Sequence, residues 1–179
     1  MQTSRRGFLA GTAGAGLAAS WTVHAATTTD PVAGEEPKTI FKLYPVGVVE
    51  KKDKEKVVRL RIFDEYKDAL LGLDGWSHLQ VFYWFDQNDN PQKRRILRVH
   101  PQGNQANPLT GVFACRAPFR PNLIALSVCK IRSVEGNLVN LDDLDAFDGT
   151  PILDLKPFTP PDAPPPDTVR VPAWARGGR

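Results

Sequence analysis

The stretch at residues 111–122, GVFACRAPFRPN, holds two arginines and a cysteine on a segment stiffened by two prolines. Arg116 follows an apolar run, and Arg120 lies between Phe119 and Pro121. A guanidinium presents several N–H donors in one rigid plane, which suits carboxylate or phosphate groups. Two interpretations stay open: a solvated loop with two surface charges, or two guanidinium groups held beside a ligand pocket.

A second candidate is the segment DDLDAFDGTP at residues 142–151, in which Asp142, Asp143, Asp145 and Asp148 bring four carboxylates into seven positions. As a structural feature it is a set of turn-forming aspartates, with Asp148-Gly149 as the reversal. As a functional feature it is an acidic rim that faces a cationic or hydroxyl-bearing ligand, such as a sulfonium or a ribose. The pattern alone does not decide between these readings.

Other chemistries find little support in the sequence. The chain has no Gly-x-Ser-x-Gly motif, no glycine-rich phosphate loop, and no Cys or His pair at metal-ligand spacing, so we predict no metal site. His78 lies in an apolar run, as is typical of a buried histidine. His100 opens a polar loop and is the better candidate for a site residue.

The first 25 residues have the pattern of a twin-arginine export signal. Arg5-Arg6 is followed by the weakly apolar stretch GFLAGTAGAGLAAS and by Val23-His24-Ala25, which resembles a cleavage site. We therefore predict a signal peptide over residues 1–25, the twin-arginine translocase as a partner, and a periplasmic or secreted location. The apolar stretch is weaker than the ~20 apolar residues that a membrane span needs, so no stable span is expected.

The charge balance argues against a broad nucleic-acid-binding surface. The chain has 23 Lys and Arg against 20 Asp and Glu, and two of the arginines lie in the predicted signal. The remainder is close to neutral, whereas nucleic-acid-binding domains are usually strongly basic. Basic side chains do cluster at Lys93, Arg94, Arg95 and Arg98, which is equally the pattern of a solvated face.

Most of the remaining chain alternates short β-rich runs with turns. Strands are predicted within residues 39–51, 57–63, 76–85, 93–100, 111–115 and 123–131, and twice between 137 and 158. Residues 76–85, WSHLQVFYWF, are apolar on both faces, which is typical of a strand buried on both sides. Residues 64–73 form the one predicted helix, with Asp64 as its N-cap and Gly72 at its end.

These elements predict an all-β fold, a small single-domain β-barrel with one short helix. We expect the barrel domain to span residues 39–160, after a linker at 26–38 and before a proline-rich tail at 161–179. Cys115 and Cys129 end successive apolar runs. A hairpin centred on APFRPN would put them at opposite ends of its ladder, so both thiols should stay free and buried.

Three stretches together resemble the TrmO family of TsaA-like barrels: GWSHLQVFYWF, then VHPQGNQANPLTGVFACRAPFRPNLIALSVCKI, then LDAFDGTPILDLKPF. The resemblance covers roughly residues 42–160. It implies a small, often dimeric β-barrel methyltransferase that transfers a methyl group from S-adenosylmethionine to threonylcarbamoyladenosine in the tRNA anticodon loop. The expected cofactor is therefore S-adenosylmethionine, the expected acceptor is tRNA or another small molecule, and the expected assembly is a homodimer.

The resemblance also implies where the cofactor binds. Carried over position by position, the pocket is formed by Asp86, Gln87, Arg116, Leu126, Asp142, Asp143, Leu144 and Asp145. Arg116 is expected to face the cofactor, and Arg120 to organise its loop or to bind a phosphate. Asp86 is the candidate catalytic base for the acceptor nitrogen, although it is also the first residue of the turn DQNDNP.

The sequence departs from the family pattern at three places. Asp86 stands where the family has His, Cys115-Arg116-Ala117 stands where it has Thr-Arg-Ser, and EKKDKEK at residues 50–56 replaces a Pro-Arg-Gln segment. These departures keep a second hypothesis open, namely an exported, non-catalytic binding module that retained the barrel.

Overall fold

The computed structural model describes residues 39–51 and 57–176 of the chain. By its internal contacts the chain divides into two units, Met1–Lys42 and Leu43–Arg179. In the first unit only residues 39–42 are described, and they have no regular secondary structure. The predicted signal peptide (1–25) and linker (26–38) lie outside the described residues and stay predictions.

The second unit is built on a closed antiparallel barrel, which confirms the predicted all-β fold. Its six strands follow one another around the barrel in the order β1-β2-β7-β6-β3-β8, and β4 pairs with β5 in a separate two-stranded sheet. The strands are β1 (Gly47–Lys51), β2 (Val58–Ile62), β3 (His78–Trp84), β4 (Arg98–Val99), β5 (Thr110–Gly111), β6 (Ile124–Glu135), β7 (Leu138–Leu141) and β8 (Pro151–Pro157).

Side chains that alternate along the barrel strands fill the interior. In β3, Leu79, Val81 and Tyr83 are buried, whereas the residues between them are only partly buried. The prediction that this strand is buried on both faces is wrong, because a closed barrel takes up only the inward-pointing half of each strand. The other fully buried strand residues are Val49, Leu60, Val139, Leu141 and Ile152.

The segment after β2 is a 3₁₀-helix, Asp64–Leu70, and not the longer helix predicted for residues 64–73. Phe63 occupies the N-cap position, and no side chain caps the first turn. Leu70 is buried in the core. The chain then turns at Gly72, whose φ of 80° lies in the left-handed region that glycine adopts without strain.

The chain between β3 and β6 contains short elements in place of the strands predicted at 93–100 and 111–115. Asn90 caps a single α-helical turn, α1 (Pro91–Arg94), by accepting a hydrogen bond from the Lys93 amide at 2.8 Å. A proline at the first helical position favours this turn. Only the two-residue strands β4 and β5 remain of the predicted pair.

The predicted hairpin centred on APFRPN is also wrong, because β6 pairs with β3 and β7 instead. Both cysteines nevertheless carry free thiols: Cys129 is buried on β6, and Cys115 is half-buried in a loop. The two cysteines therefore lie in different elements, a barrel strand and a loop, and not at the two ends of one hairpin as predicted.

Beyond β8 the described chain runs through three short 3₁₀ turns, Pro160–Asp162, Pro166–Thr168 and Ala173–Ala175. Proline fixes φ and lacks an N–H, so such a segment forms single turns more readily than a helix or a ladder strand. Residues 39–51 and 57–176 include no helix with the length and apolar character that a transmembrane helix requires.

A substitution at Gly47 tests how closely β1 and β2 approach each other. It pairs with Ile62, and a Cβ at this position would lie 2.4 Å from the Arg61 carbonyl oxygen. We expect Gly47→Ala to lower the free energy of unfolding by about 1–3 kcal/mol, because the β1–β2 pair must shift. Urea denaturation of the full chain measures this change.

The matched control is Gly75→Ala, because a Cβ on Gly75 would meet no atom within 4 Å. Its free energy of unfolding should stay within about 0.5 kcal/mol of the wild-type value. Equal losses in the two variants would contradict the close approach of β1 and β2 at Gly47.

Candidate functional site

A cavity of about 550 Å³ opens at one end of the β3–β6 pair. Its walls come from the ends of β3 and β6, the 3₁₀ turn Asp86–Asn88, the loop at residues 115–120, and the turn at residues 145–150. The cavity therefore collects parts of the two stretches singled out in the sequence, the arginine loop and the acidic segment.

The pairing of β3 with β6 sets the floor of the cavity. Tyr83 lies opposite Ala125, and the next pair toward the strand end is Trp84 with Ile124. All four residues line the cavity. Since neighbouring residues of a strand point to opposite faces, the cavity is bounded partly by inward-pointing and partly by outward-pointing side chains.

Arg120 holds the arginine loop together. Its guanidinium donates hydrogen bonds to the backbone carbonyls of Ala117 (3.0 Å), Val112 (3.1 Å) and Cys115 (3.0 Å). A loop without ladder partners leaves carbonyl groups that need donors, and one planar guanidinium can serve several of them. Arg120 therefore organises its loop, as the resemblance implied.

Arg116 has a different environment. It is exposed, lines the cavity, and donates a hydrogen bond to the backbone carbonyl of Leu126 on β6. This contact fixes the guanidinium next to the strand that forms the floor. A guanidinium has five N–H donors, so one bond to a carbonyl leaves donors for a ligand.

Asp86 and Gln87 form a further part of the cavity wall. The Thr150 hydroxyl donates a long hydrogen bond to Oδ1 of Asp86 (3.5 Å), and Thr150 is itself buried. Lys93 Nζ donates to the Gln87 carbonyl at 3.0 Å and to Asn88 Oδ1 at 3.1 Å. The wall is thereby tied both to the 145–150 turn and to α1.

The basic cluster predicted from the sequence divides into two parts. Arg94 stacks over the Trp84 ring at 5.3 Å, pairs with Asp89 at 2.8 Å, and donates to the Pro121 carbonyl at 2.6 Å. Its hydrogen bond lowers the pKa of Asp89. Arg94 therefore supports the cavity wall, whereas Arg95 and Arg98 are exposed.

Tyr83 closes the inner end of the cavity. It is 4 % exposed, and its hydroxyl donates to the Asp145 carbonyl at 2.8 Å and lies 3.3 Å from Ser127 Oγ. Burial raises the pKa of this hydroxyl, so it stays protonated throughout the neutral range. Its ring contacts Phe85 edge-on, with 5.7 Å between the centroids.

The structure brings together five of the eight predicted binding residues. Asp86, Gln87, Arg116, Leu126 and Asp145 line the cavity. The other three, Asp142, Asp143 and Leu144, do not line it.

Each of these three has a different position. Asp142 pairs with Arg132 on the outer surface, and this hydrogen bond lowers the pKa of its carboxyl. Asp143 is exposed, and Leu144 is buried in the barrel core. A binding role for these three residues stays a prediction.

The acidic segment follows both of its interpretations, at different residues. Asp148 is a turn former: its Oδ1 accepts the Lys51 amide at 2.8 Å, and Gly149 follows with a φ of 77°. Asp145 lies on the cavity, where a cationic or hydroxyl-bearing ligand would meet it. The segment is thus part turn and part cavity wall.

Sequence reasoning missed several lining residues, among them Tyr83, Ser127, Phe147 and Thr150. Thr150 and Phe147 lie in the quoted stretch LDAFDGTP, so a closer reading of that stretch could have selected them. Tyr83 and Ser127 carry no local signal, because only the strand register brings them to the cavity. The described residues contain no group of three or more His, Cys, Asp or Glu that could hold a metal ion.

Comparison with known proteins agrees with the barrel fold. The family model described as the tRNA-methyltransferase O N-terminal domain matches residues 48–162, which is most of the chain. The chain belongs to this family. The match begins at the second residue of β1 and ends after β8, so it covers nearly all of the barrel and every residue that lines the cavity.

Two archaeal relatives are similar over most of their own lengths. A probable S-adenosyl-L-methionine-binding protein of Pyrococcus horikoshii is 46% identical over 118 residues, which is 66% of this chain and 82% of the relative. One from Methanocaldococcus jannaschii is 44% identical over 67% of this chain and 94% of the relative. A tRNA (adenine(37)-N6)-methyltransferase of Mus musculus is 39% identical, over 56% of this chain but only 23% of the relative.

Among solved structures, TrmO from Pseudomonas aeruginosa superimposes with a TM-score of 0.59 and 26% identity. The superposition covers 78% of this chain and 64% of the TrmO chain, so this chain spans less than two thirds of that protein. The shared part contains the barrel fold, and the agreement supports the closed strand order described above.

The two cysteines give a test of the cavity. Cys115 lines it, whereas burial raises the pKa of Cys129 to about 11. The thiolate is the reactive form, so Cys129 should remain an unreactive thiol at pH 8. We expect N-ethylmaleimide to modify Cys115 but not Cys129 in the native chain, as measured by peptide mass spectrometry.

A Cys115→Ser variant should take up no label until it is unfolded in urea, which makes it the control for labelling at Cys129. Labelling of Cys129 at a rate similar to Cys115 in the folded chain would contradict the burial of β6 in the barrel.

Proposed function

We propose that the cavity binds S-adenosylmethionine and that the chain is a methyltransferase of the TrmO family. The observation that carries the proposal is the convergence of Asp86, Arg116 and Asp145 on one cavity of about 550 Å³. Family membership supports it, since relatives are named as S-adenosyl-L-methionine-binding proteins and as a tRNA methyltransferase. The non-catalytic module remains the alternative that experiment must exclude.

The residues present fit this cofactor. The volume falls within the range of about 300–1,000 Å³ that small-molecule sites occupy. Phe85, Pro118 and Leu126 provide apolar surface for a purine ring. Among the described residues neither Asp86 nor Asp145 takes part in an ion pair, so both carboxylates are available to a cationic group.

The cofactor, when bound, supplies a methyl group already activated on a sulfonium. The chain has to hold donor and acceptor in line, and such orientation can contribute up to about 7–11 kcal/mol to lowering a barrier. Arg116 would bind a carboxylate or hydroxyl of the ligand. Asp86 would accept the proton that the acceptor nitrogen loses, since Thr150 contacts its Oδ1 and leaves Oδ2 for that proton.

The proposed acceptor is an adenine amino group of tRNA, by analogy with the tRNA (adenine(37)-N6)-methyltransferase relative. The exposed Arg95 and Arg98, close in sequence to the cavity residue Lys93, would contact phosphates. The proposed twin-arginine export conflicts with this acceptor, because tRNA and S-adenosylmethionine are cytoplasmic. An exported chain would require a different acceptor and also a source of S-adenosylmethionine outside the cytoplasm.

A homodimer is proposed as the assembly. The outward face of β6 shows three apolar side chains in alternation, with Ile124, Leu126 and Val128 exposed by 37%, 38% and 51%. Phe82 and Trp84 lie opposite two of them on β3. A continuous apolar strip on a barrel exterior suits a protein interface, and its overlap with the cavity at Leu126 would place a second copy beside the ligand.

Titration calorimetry of the full chain with S-adenosylmethionine tests the proposed function. We expect saturable binding, and we expect Arg116→Ala to weaken it by about tenfold or more, because hydrogen bonds to a charged group are worth roughly 1.5–3 kcal/mol. Arg61→Ala is the matched control. Arg61 pairs with Glu50 on the outer surface and does not line the cavity, so its loss should leave the dissociation constant unchanged.

Absence of heat at millimolar S-adenosylmethionine would exclude the proposed function. Binding without transfer of a labelled methyl group to bulk tRNA or small acceptors would instead favour the non-catalytic module.

The location is tested with a fusion of residues 1–38 to a reporter that is active only after export. We expect activity in the periplasm, and its loss in the Arg5→Lys/Arg6→Lys double variant, because the signal depends on the paired guanidinium groups. Equal activity in the two fusions, or none in either, would contradict the proposed export and restore a cytoplasmic tRNA as the acceptor.

A further inference from the structure

Tyr83 is the point where the barrel interior meets the cavity. Its ring is part of the core, and its hydroxyl emerges between β6 and the acidic segment, where it donates to the Asp145 carbonyl at 2.8 Å. A hydroxyl in such a place costs free energy unless it finds a partner. Its partner here is the backbone of a residue that lines the cavity.

The turn that carries Asp145 is held at its flanks by β1. Lys51 Nζ donates to the Leu144 carbonyl at 2.6 Å, and the Lys51 amide donates to Asp148 Oδ1 at 2.8 Å. The Gly149 amide donates to the Val49 carbonyl at 2.8 Å. These bonds hold Leu144, Asp148 and Gly149 from β1, and the Tyr83 hydroxyl holds the Asp145 carbonyl from β3.

The β3–β8 pairing is irregular at Tyr83. The pairing of β3 with β8 shifts register between Phe82 and Tyr83, so that Phe82 lies opposite Asp154 and Tyr83 opposite Ile152. The residue between them on β8, Leu153, is left without a partner on β3. Such bulges change the direction of nearby side chains and often occur beside functional sites.

We propose that Tyr83 is a positioning residue: its hydroxyl fixes the turn at residues 142–149 and so holds Asp145 at the cavity wall. The inference rests on the proposed function where it concerns S-adenosylmethionine, but the fixing of the turn stands on the structure of the chain itself. Tyr83 acts through the Asp145 backbone and is not itself assigned a chemical step.

The alternative is a core tyrosine whose hydroxyl merely meets a convenient acceptor. The two interpretations predict different effects of Tyr83→Phe, which removes only the hydroxyl oxygen. If Tyr83 only fills the core, Tyr83→Phe keeps the ring and its contact with Phe85, and the turn is unaffected. If the hydroxyl fixes the turn, the same variant frees the Asp145 carbonyl and loosens residues 142–149.

Hydrogen–deuterium exchange of the full-length Tyr83→Phe variant tests the proposal without any ligand. We expect exchange at residues 142–149 to become roughly 2–10-fold faster, as the loss of one net hydrogen bond predicts. Exchange in β1 and β2 should stay at the wild-type rate. The matched control is Tyr66→Phe, because Tyr66 packs against the core from the 3₁₀-helix Asp64–Leu70 and does not line the cavity.

The second measurement is the dissociation constant for S-adenosylmethionine, which should rise by a similar factor in Tyr83→Phe and not in Tyr66→Phe. Unchanged exchange at residues 142–149 would overturn the proposal. Faster exchange with an unchanged dissociation constant would overturn the positioning role in binding. If the wild type binds no S-adenosylmethionine and Tyr83→Phe still exchanges faster at residues 142–149, the fixing of the turn is supported and only the proposed function is excluded.

Discussion

Seven consecutive residue pairs join β3 to β6, from His78 opposite Lys130 to Trp84 opposite Ile124, and the site depends on this register. It places Tyr83 and Ala125 together in the interior, and Phe82 and Leu126 together on the outside. Because successive side chains of a strand alternate between faces, a slip of β3 by one residue along β6 would turn Tyr83 outward. The turn carrying Asp145 would then lose its hydroxyl partner, and the cavity would lose its floor.

The arginine loop shows how a chain without ladder partners is kept in one conformation. Between β5 and β6 the backbone has few strand contacts, so its carbonyl groups must find donors elsewhere. Arg120 supplies three of these bonds from inside the loop, and Arg94 supplies one from α1 to the Pro121 carbonyl. These two arginines act structurally, which leaves Arg116 as the exposed guanidinium of the loop at the cavity. Both arginines of GVFACRAPFRPN line the cavity, Arg120 with its guanidinium bonded to its own loop and Arg116 with its side chain exposed, so the loop is not simply a solvated segment with two surface charges.

The barrel could be predicted because its signals are local. Alternating apolar residues in β2 and turn residues such as Asp148-Gly149 mark strands and reversals without knowledge of the fold. The region between β3 and β6 could not be predicted in this way. There, Asn90 and Pro91 start a helical turn and Arg120 bonds the loop to itself, and these local bonds outweigh the β-propensity of residues 93–100 and 111–115.

The site residues could likewise be predicted only where a short stretch of sequence carries them. The resemblance selected Arg116 and Asp145, which both line the cavity, because short stretches of sequence carry them. Tyr83 and Ser127 reach the cavity only through the β3–β6 register, which no single stretch reveals. The expectation that β3 is buried on both faces failed for a related reason. An apolar run does not show whether its outer face is covered by the same chain or left at the surface.

The electrostatics of the cavity follow from how the acidic segment is divided. Asp142 pairs with Arg132 at the surface, Asp148 accepts a hydrogen bond from the Lys51 amide, and neither residue lines the cavity. Asp145 and Asp86 remain, on walls built by different parts of the chain. Leu144, buried next to Asp145, anchors the turn in the core without touching the cavity. A cationic ligand would therefore be recognised by two carboxylates whose positions depend on buried neighbours, Leu144 for one and Thr150 for the other.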